Sequence, residues 1–363
     1  MTNPKQRVLT ALAHREPDRV PLDWWAVPET VTSAMKTLGL NSQEELLQGL
    51  EIDLRYVKPR YAGDDYIEQP DGSLHKKLPE GTFVDIWSVQ RKEIDWGKGS
   101  YLEVVRSPLA QAETPGDIEQ HPWPDVEKFD YHSVVEQCEE YRDFGVVCTG
   151  DRLATRASVF KLAMYLRGMD RLLMDLALNP KLVDALVHKL LEFHLEHNQR
   201  IFECSAEGID IFMLGDDFGS ENGPLISPEM FRRFFKPALK ELIALGKRYG
   251  LRVMLHSCGS VRELIPDLID IGLDILNPIQ THARGMVPEE LKREFGKDLC
   301  FHGSIDVQHT LPFGTPEEVK SEVKARIQTL GKGGSFILAP AHNLQPDVSI
   351  QNILTMYRTA VEI

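Results

Sequence analysis

The sequence lacks the features of a secreted, membrane-spanning or disulfide-stabilised protein. It has only five cysteines among 363 residues, and this odd, widely spaced set argues against a disulfide scaffold. The longest apolar runs, such as 209–214 and 336–341, fall far short of the roughly 20 residues that cross a bilayer. Because no charged-then-apolar leader opens the chain, we expect a cytoplasmic protein with no membrane partner.

Positive charge is scarce. Lys and Arg total 41 against 55 Asp and Glu, which gives a formal net charge of −14. Nucleic acids and anionic membrane surfaces require a basic stripe that releases counterions, so the composition argues against both. The sequence also lacks the GxGxxG, P-loop, GxSxG and HExxH motifs, so none of these common signatures assigns a function.

Short, nearly continuous apolar runs alternate with helical patterns along the chain. The eight runs cover 19–26, 53–59, 145–152, 208–217, 251–259, 274–280, 299–306 and 335–342. Such runs are typical of parallel strands that are buried on both faces. Good helix starts, including Ser227-Pro228 and Thr315-Pro316, lie between them. The pattern predicts one (βα)8 TIM barrel over residues 1–363, with a doubly wound open sheet as the alternative.

The segment 66–110 interrupts this rhythm. Turn triplets at 70–72, 79–81 and 97–99 separate stretches of alternating apolar and polar residues. This pattern predicts antiparallel hairpins inserted after the second strand. We expect the insertion to cover the barrel mouth, although a decorative excursion explains the pattern equally well.

Polar residues gather at the carboxyl ends of the predicted strands, where a barrel places its active site. In chain order they are Asp23 with Trp24 or Trp25, Asp216 and Asp217, His256 and Cys258, Asn277 and Gln280, His302 and Asp306, and His342 and Asn343.

The pair His256 and Cys258 is the sharpest of these signals. Residues i and i+2 of a strand face the same side, so the imidazole and the thiolate share one space. Both are zinc ligands, and His342 at the end of the last strand is expected at the same mouth. The three side chains predict a catalytic zinc site with an open position. The alternative is a buried histidine and an inert cysteine that only pack.

Other polar residues carry weaker signals. Asp216 and Asp217 are candidate catalytic residues, either as a fourth zinc ligand or as an acceptor that orients a ligand, and the alternative is a turn cap. Trp24, Gln280 and Asp306 are candidate substrate-binding residues. Core packing for Trp24 and a turn cap for Asp306 are the alternatives.

Several motifs resemble those of one known family. They are the segments 14–21 (HREPDRVP), 216–219 (DDFG) followed by 223–228, 256–259 (HSCG) and 338–344 (LAPAHNL). Together they resemble the uroporphyrinogen decarboxylase superfamily over nearly the whole chain. The resemblance implies a (βα)8 barrel that acts as a decarboxylase or as a cobalamin-dependent methyltransferase of the methylcobamide:coenzyme M type. Members of the superfamily are often dimers, so a homodimer is a further expectation.

Two features favour the methyltransferase branch. The decarboxylases carry an arginine-rich stretch just after the first strand, whereas residues 24–29 here read WWAVPE. The methyltransferases hold zinc with His-x-Cys and a late cysteine. His256 and Cys258 match the first part of that set, and His342 stands where the late cysteine falls. The decarboxylases have a histidine close to that position as well, so His342 alone does not discriminate between the branches. One thiolate and two imidazoles leave zinc a stronger Lewis acid than two thiolates do, which suits a methyl ether as substrate.

The resemblance also implies a corrinoid partner. The chain has no Asp-x-His-x-x-Gly sequence of the corrinoid-carrying kind, so we expect the corrinoid to arrive on a separate protein. The predicted function is zinc-dependent methyl transfer between a small methylated substrate and a corrinoid protein, for example O-demethylation of a methoxylated aromatic compound. The alternatives are a metal-independent decarboxylase and a non-catalytic binding protein with a sensory or storage zinc.

Overall fold

A computed structural model describes residues 2–70, 72–95, 97, 100–148 and 158–363. Its strands are β1 Leu54–Val57, β2 Arg60–Tyr61, β3 Ile67–Glu68, β4 Leu74–Lys77, β5 Phe83–Asp85, β6 Gln90–Asp95, β7 Ser100–Arg106, β8 Phe129–Asp130, β9 Gly145–Cys148, β10 Ile211–Gly215, β11 Arg252–His256, β12 Ile275–Ile279, β13 Cys300–Ile305 and β14 Phe336–Pro340. Its α-helices are α1 Pro4–Leu12, α2 Pro28–Leu38, α3 Gln43–Gly49, α4 Pro115–Glu119, α5 Ser133–Glu140, α6 Phe160–Arg167, α7 Met169–Leu178, α8 Pro180–Ser205, α9 Pro228–Met230, α10 Lys236–Arg248, α11 Ile265–Asp270, α12 Pro288–Phe295, α13 Thr310–Phe313, α14 Pro316–Arg326 and α15 Ile350–Val361.

A curled sheet of seven parallel strands forms the centre of the molecule, in the order β1-β9-β10-β11-β12-β13-β14. Each strand corresponds to one of the predicted apolar runs, and the strands β9, β10, β12, β13 and β14 are buried along their whole length. Helices connect successive strands, which gives an α/β fold. The part of the third predicted run beyond Cys148, residues 149–152, lies outside the described residues.

The first predicted run, 19–26, does not form a regular strand, and in this respect the prediction was wrong. Only isolated parallel bridges join it to the segment of β14 and beyond, at Leu22 and Ala26. Proline has no N–H to donate to a ladder, which explains the interruption at Pro21. The segment is still hydrogen-bonded on both sides: Asp23 N donates to Leu338 O at 3.0 Å, and Asp53 N donates to Leu22 O at 2.9 Å.

Alternate residues of the seven strands face the inside of the curl. Near the amino ends of the strands, the inward-facing side chains pack as one apolar cluster that includes Leu54, Val147, Ile211, Met254, Ile275, Cys300 and Ile337. Val8 and Leu12 of α1 join this cluster, so α1 closes the end of the curl opposite the strands' carboxyl ends. The polar residues therefore project from the open end.

A separate antiparallel sheet of five strands, β3 to β7, follows the short strand β2 in the chain. Trp87, between β5 and β6, is fully buried and packs edge-on against Phe193 of α8, with ring centroids 4.8 Å apart. Arg91 and Asp85 form a buried ion pair at 2.5 Å within the sheet. The Trp87 contact attaches the antiparallel sheet to α8. Residues 71, 96, 98 and 99 of this region, including parts of two predicted turns, lie outside the described residues.

Local capping fixes several helix starts that the sequence predicted. Thr315 and Glu318 form a reciprocal capping box at α14, with Pro316 in the first turn. The Ser227 side chain accepts a hydrogen bond from Met230 N at the start of α9. Among the helices built from described residues, none is both long and apolar enough to span a membrane.

Candidate metal centre

Strand geometry brings the three predicted zinc ligands together. His256 ends β11, Cys258 follows two residues later, and His342 follows β14. One ligand atom from each of the three side chains lies within 4.8 Å of the other two. The Cys258 Sγ is 3.3 Å from His256 Nε2. In a tetrahedral zinc site, bonds of ~2.0–2.3 Å separate the ligand atoms by roughly 3.3–3.7 Å. The three donor types, and the distance between Cys258 and His256, therefore fit zinc.

The His256 ring is held on two sides. Its Nδ1 lies 2.5 Å from Asn277 Oδ1. Its face stacks on the Trp25 ring, with centroids 5.2 Å apart and an interplanar angle of 21°. His256 is 2% exposed, and its Nε2 is the ring nitrogen that faces Cys258. These contacts give the ring one orientation.

Close backbone packing places Cys258. Gly259 has φ of 78°, in the left-handed region, and a Cβ there would lie 2.7 Å from Ser220 O. On the facing segment, a Cβ on Gly219 would lie 2.4 Å from Cys258 O. Only glycine fits at both positions, because real Cβ atoms essentially never approach that closely. The two glycines let the loop after β10 press against the loop that carries the thiol.

Asp217 adjoins the ligand set. Its Oδ1 lies 3.5 Å from His256 Nε2 and accepts a hydrogen bond from Cys258 N at 3.1 Å. Its Oδ2 pairs with the Lys161 ammonium. The carboxylate thus holds the cysteine backbone and places negative charge beside the candidate cation site.

Asp216 points the other way. Its carboxylate is fully buried and accepts hydrogen bonds from Ser158 Oγ, Val159 N and Lys161 N at 2.7–2.8 Å. Burial raises the pKa of Asp216 above its ordinary value, although these hydrogen bonds oppose the rise. The structure therefore gives Asp216 the role of anchoring the segment before α6, and it does not bring Asp216 to the ligand set.

The two tryptophans also face opposite ways. Trp24 packs against Tyr357 on the outer side, with ring centroids 5.8 Å apart. Trp25 faces inward, and its Nε1 donates to Asp23 Oδ2 at 2.9 Å. Trp25, rather than Trp24, is the tryptophan in contact with His256. The sequence predicts Trp24 as the substrate-binding residue, whereas the structure places Trp25 beside the ligand set.

Gln280 and Asp306 lie at the same end of the sheet and support backbone. Gln280 Oε1 accepts from Gly259 N at 2.9 Å and so steadies the loop that follows Cys258. Asp306 accepts from the N–H groups of Gln308, His309 and Thr310 at 2.8–3.0 Å. Although burial opposes the effect, these bonds lower the pKa of Asp306.

A second set of close ligand atoms surrounds Asp306. One atom each of Asp306, His282 and His309 lies within 4.8 Å of the others. The Asp306 oxygens already accept three backbone N–H groups, and both imidazoles are exposed. Imidazole N–H groups that donate to this carboxylate account for the arrangement.

A hydrogen-bonded row of buried side chains continues from His256 across the inside of the sheet. Asn277 Nδ2 lies 2.5 Å from His302 Nδ1, and His302 Nε2 lies 2.8 Å from Asp23 Oδ2. The Tyr56 hydroxyl also bonds to Asp23 Oδ2. The sequence placed Asp23, Asn277 and His302 at strand ends without a role. Tyr56 was missed, because a tyrosine inside an apolar run looks like core.

The chain belongs to the uroporphyrinogen decarboxylase (URO-D) family, whose sequence model matches residues 116–363. This confirms the resemblance seen in the motifs. A methylcobamide:CoM methyltransferase of Methanosarcina barkeri (strain Fusaro) is 28% identical over 151 residues, which are 40% of each chain. A methylated-thiol–coenzyme M methyltransferase of Methanosarcina mazei is 26% identical over 204 residues, 56% of this chain and 51% of the relative.

A uroporphyrinogen decarboxylase of Chlorobaculum tepidum is 23% identical over 178 residues, 48% of this chain and 47% of the relative. The chain thus matches about half, or less, of the length of these curated relatives. A solved methyltransferase structure from Methanosarcina mazei covers 100% of this chain and 99% of its own, with a TM-score of 0.63 and 17% identity. That structure shows the same fold over the whole chain. The relatives include methyltransferases as well as decarboxylases.

Proposed function

We propose that this chain is a zinc-dependent methyltransferase that moves a methyl group between a small methylated substrate and a corrinoid carried by a partner protein. The observation that carries the proposal is the convergence of His256, Cys258 and His342 within 4.8 Å. We further propose that segment 19–26 completes a (βα)8 barrel with the seven strands, since it bonds to both β14 and the start of β1. The antiparallel sheet β3–β7 is then the insertion beside the barrel mouth.

In this proposal His256, Cys258 and His342 hold zinc. When bound, the zinc would supply a Lewis acid whose acidity is high because only one of three protein ligands is an anionic thiolate. A Lewis acid of this kind suits the oxygen of a methyl ether, so methoxylated aromatic compounds are the proposed substrate class.

The surrounding side chains have proposed roles that follow from their contacts. Asp217 fixes the Cys258 loop and is the nearest carboxylate for a fourth ligand position. Trp25 stacks on the His256 imidazole and so limits rotation of that ring. Gln280 and Asp306 hold the rim of the mouth where substrate would enter, and Trp24 supports the first segment from behind.

The corrinoid part of the proposal is supported by a relative. The methyltransferase of Methanosarcina barkeri is named for methylcobamide. Because the chain has no corrinoid-carrying sequence of the Asp-x-His-x-x-Gly kind, we propose that the corrinoid comes on a separate protein. That protein would dock over the open end of the sheet.

Methyl transfer to reduced cobalamin from a panel of methoxylated aromatic compounds tests the function. Formation of methylcobalamin is followed by its absorbance, and zinc content is measured on the same samples. We expect transfer by the wild type and a loss of at least ~100-fold in Cys258→Ala, together with well under one zinc per chain. Cys204→Ala, at an exposed cysteine of α8, is the matched control and should behave as wild type. No transfer from any donor by zinc-loaded wild type would contradict the proposal.

A decarboxylase is the second candidate, because one curated relative is a uroporphyrinogen decarboxylase. This candidate predicts release of CO2 from a carboxylated tetrapyrrole and full activity in Cys258→Ala. The two candidates therefore differ in product and in their dependence on the thiol.

A further inference from the structure

A continuous row of buried polar groups runs from the candidate metal centre across the inside of the sheet. It comprises His256, Asn277, His302 and Asp23, which come from β11, β12, β13 and the first segment. Their exposed fractions are only 0–2%. We call this row the polar relay.

The geometry points to a positioning role: Asp23, His302 and Asn277 fix the tautomer of His256 so that its Nε2 presents a lone pair to a metal. This inference rests on the proposed zinc centre and extends it to three residues that are not themselves proposed metal ligands. Each hydrogen bond of the relay has one allowed direction, and the direction is set at the far end.

That far end is Asp23, whose two carboxyl oxygens each receive a hydrogen bond from an N–H group. The indole N–H of Trp25 donates to Oδ2 at 2.9 Å, and the backbone N–H of Trp24 donates to Oδ1 at 2.8 Å. An ionised carboxylate accepts and never donates. We assign the Asp23 carboxylate as the acceptor in this pair too, so that His302 Nε2, 2.8 Å from Oδ2, carries a hydrogen and donates it.

Because His302 donates through Nε2, the donor and acceptor of each following hydrogen bond in the relay are also determined. A neutral imidazole with a hydrogen on Nε2 has an acceptor at Nδ1. The group 2.5 Å from His302 Nδ1 is then the amide nitrogen of Asn277, which turns the amide oxygen to His256. That oxygen can only accept, so His256 carries its hydrogen on Nδ1. Its Nε2 is left with the lone pair, 3.3 Å from Cys258 Sγ.

Strand register explains why these residues meet. His256 pairs with Asn277 across β11 and β12, and both belong to the inward-facing set of their strands. His302 follows Cys300 by two on β13, and Cys300 is an inward residue. The relay is thus one layer of the sheet interior, directly above the apolar layer. Four buried polar side chains in such a layer are tolerated because each is paired with the next.

Zinc affinity measured with a competing chromophoric chelator tests the inference. His302→Leu breaks the relay two hydrogen bonds away from the proposed ligand, and Asn277→Leu breaks it one bond away. Both should weaken zinc binding by about 10–100-fold, the usual effect of losing a group that orients a ligand. Asn277→Asp keeps an acceptor for His256 Nδ1 and should stay within about 3-fold of wild type.

His197→Leu is the matched control. His197 is also fully buried, and its Nδ1 lies 3.1 Å from a hydroxyl, but that hydroxyl belongs to Tyr131, just before α5 and outside the relay. This variant suffers the same chemical change and should keep wild-type zinc affinity, whatever it does to the unfolding temperature. Wild-type affinity in His302→Leu, or an equal loss in His197→Leu, would overturn the relay.

A second measurement does not depend on how the variants fold. Nitrogen NMR of histidine-labelled, metal-free wild type reports which ring nitrogen of His256 is protonated, and the inference requires Nδ1. Protonation of Nε2 would overturn it. If wild type binds zinc but transfers no methyl group, the proposed function fails while the relay stands. If His302→Leu binds zinc as tightly as wild type, the relay is refuted while the proposed function is not.

Discussion

Replacing Gly219 by alanine probes the placement of the thiol without touching a ligand. The new Cβ would lie 2.4 Å from Cys258 O and 2.9 Å from the backbone of Gly259 and Ser260. The backbone of Gly219 is not in the left-handed region, so alanine adds no conformational strain of its own. The whole effect therefore comes from the contact with the Cys258 loop.

The size of the effect follows from that contact. A Cβ needs at least 3.0 Å from such an atom, so the Cys258 carbonyl must retreat by about 0.6 Å, the difference between 2.4 and 3.0 Å. Metal sites tolerate only about 0.2 Å of error in a ligand distance. We expect zinc affinity to fall roughly 10-fold or more. Overpacking should also reduce the free energy of unfolding by about 1–3 kcal/mol.

Chelator competition and thermal unfolding measure the two effects. Gly49→Ala, at the end of α3, is the control because a Cβ there meets nothing within 4 Å. The control should keep wild-type zinc affinity and lose no stability. If Gly219→Ala keeps wild-type zinc affinity, close packing does not position Cys258 and the reasoning fails.

Two further predictions concern parts of the fold away from the ligands. Because the pKa of Asp306 is lowered in the folded protein, its carboxylate stabilises the fold above its ordinary pKa near 3.8. That contribution is lost as the pH falls through the folded pKa. Asp306→Asn should therefore destabilise the protein at pH 7, and the deficit in unfolding free energy should shrink in acid. Equal deficits at pH 7 and pH 3 would contradict this. Thr315→Ala removes the capping box of α14 and should cost about 1 kcal/mol in urea unfolding, with zinc affinity unchanged. A cost below 0.3 kcal/mol would show that the cap is dispensable.

The apolar runs predicted seven strands of the central sheet because parallel strands buried on both faces leave a strong local signal. The structure of the first apolar run, residues 19–26, was harder to predict. Its pairing with β14 is irregular and depends on contacts between Leu22 and Leu338, more than 300 residues apart. Local sequence carries no signal for such a pairing.

The candidate ligands could be predicted because spacing of two residues and position at a strand end are local properties. The choice between Asp216 and Asp217 was not available from the same reasoning. Ile211 and Met213 of β10 belong to the inner cluster, so the odd-numbered residues of this strand face inward. Asp217 follows the same alternation and therefore lies on the inner side. In a run where every residue is apolar, the pattern does not show which half faces inside. The same ambiguity explains why the sequence favoured Trp24, although Trp25 is the tryptophan that stacks on His256.

X-ray absorption at the zinc edge tests the central claim most directly, since it counts the sulfur and nitrogen ligands around the metal. For zinc-loaded wild type we predict one sulfur near ~2.3 Å and at least two nitrogen ligands near ~2.0 Å. A site with two sulfurs, or one with no sulfur, would contradict the metal centre proposed for His256, Cys258 and His342.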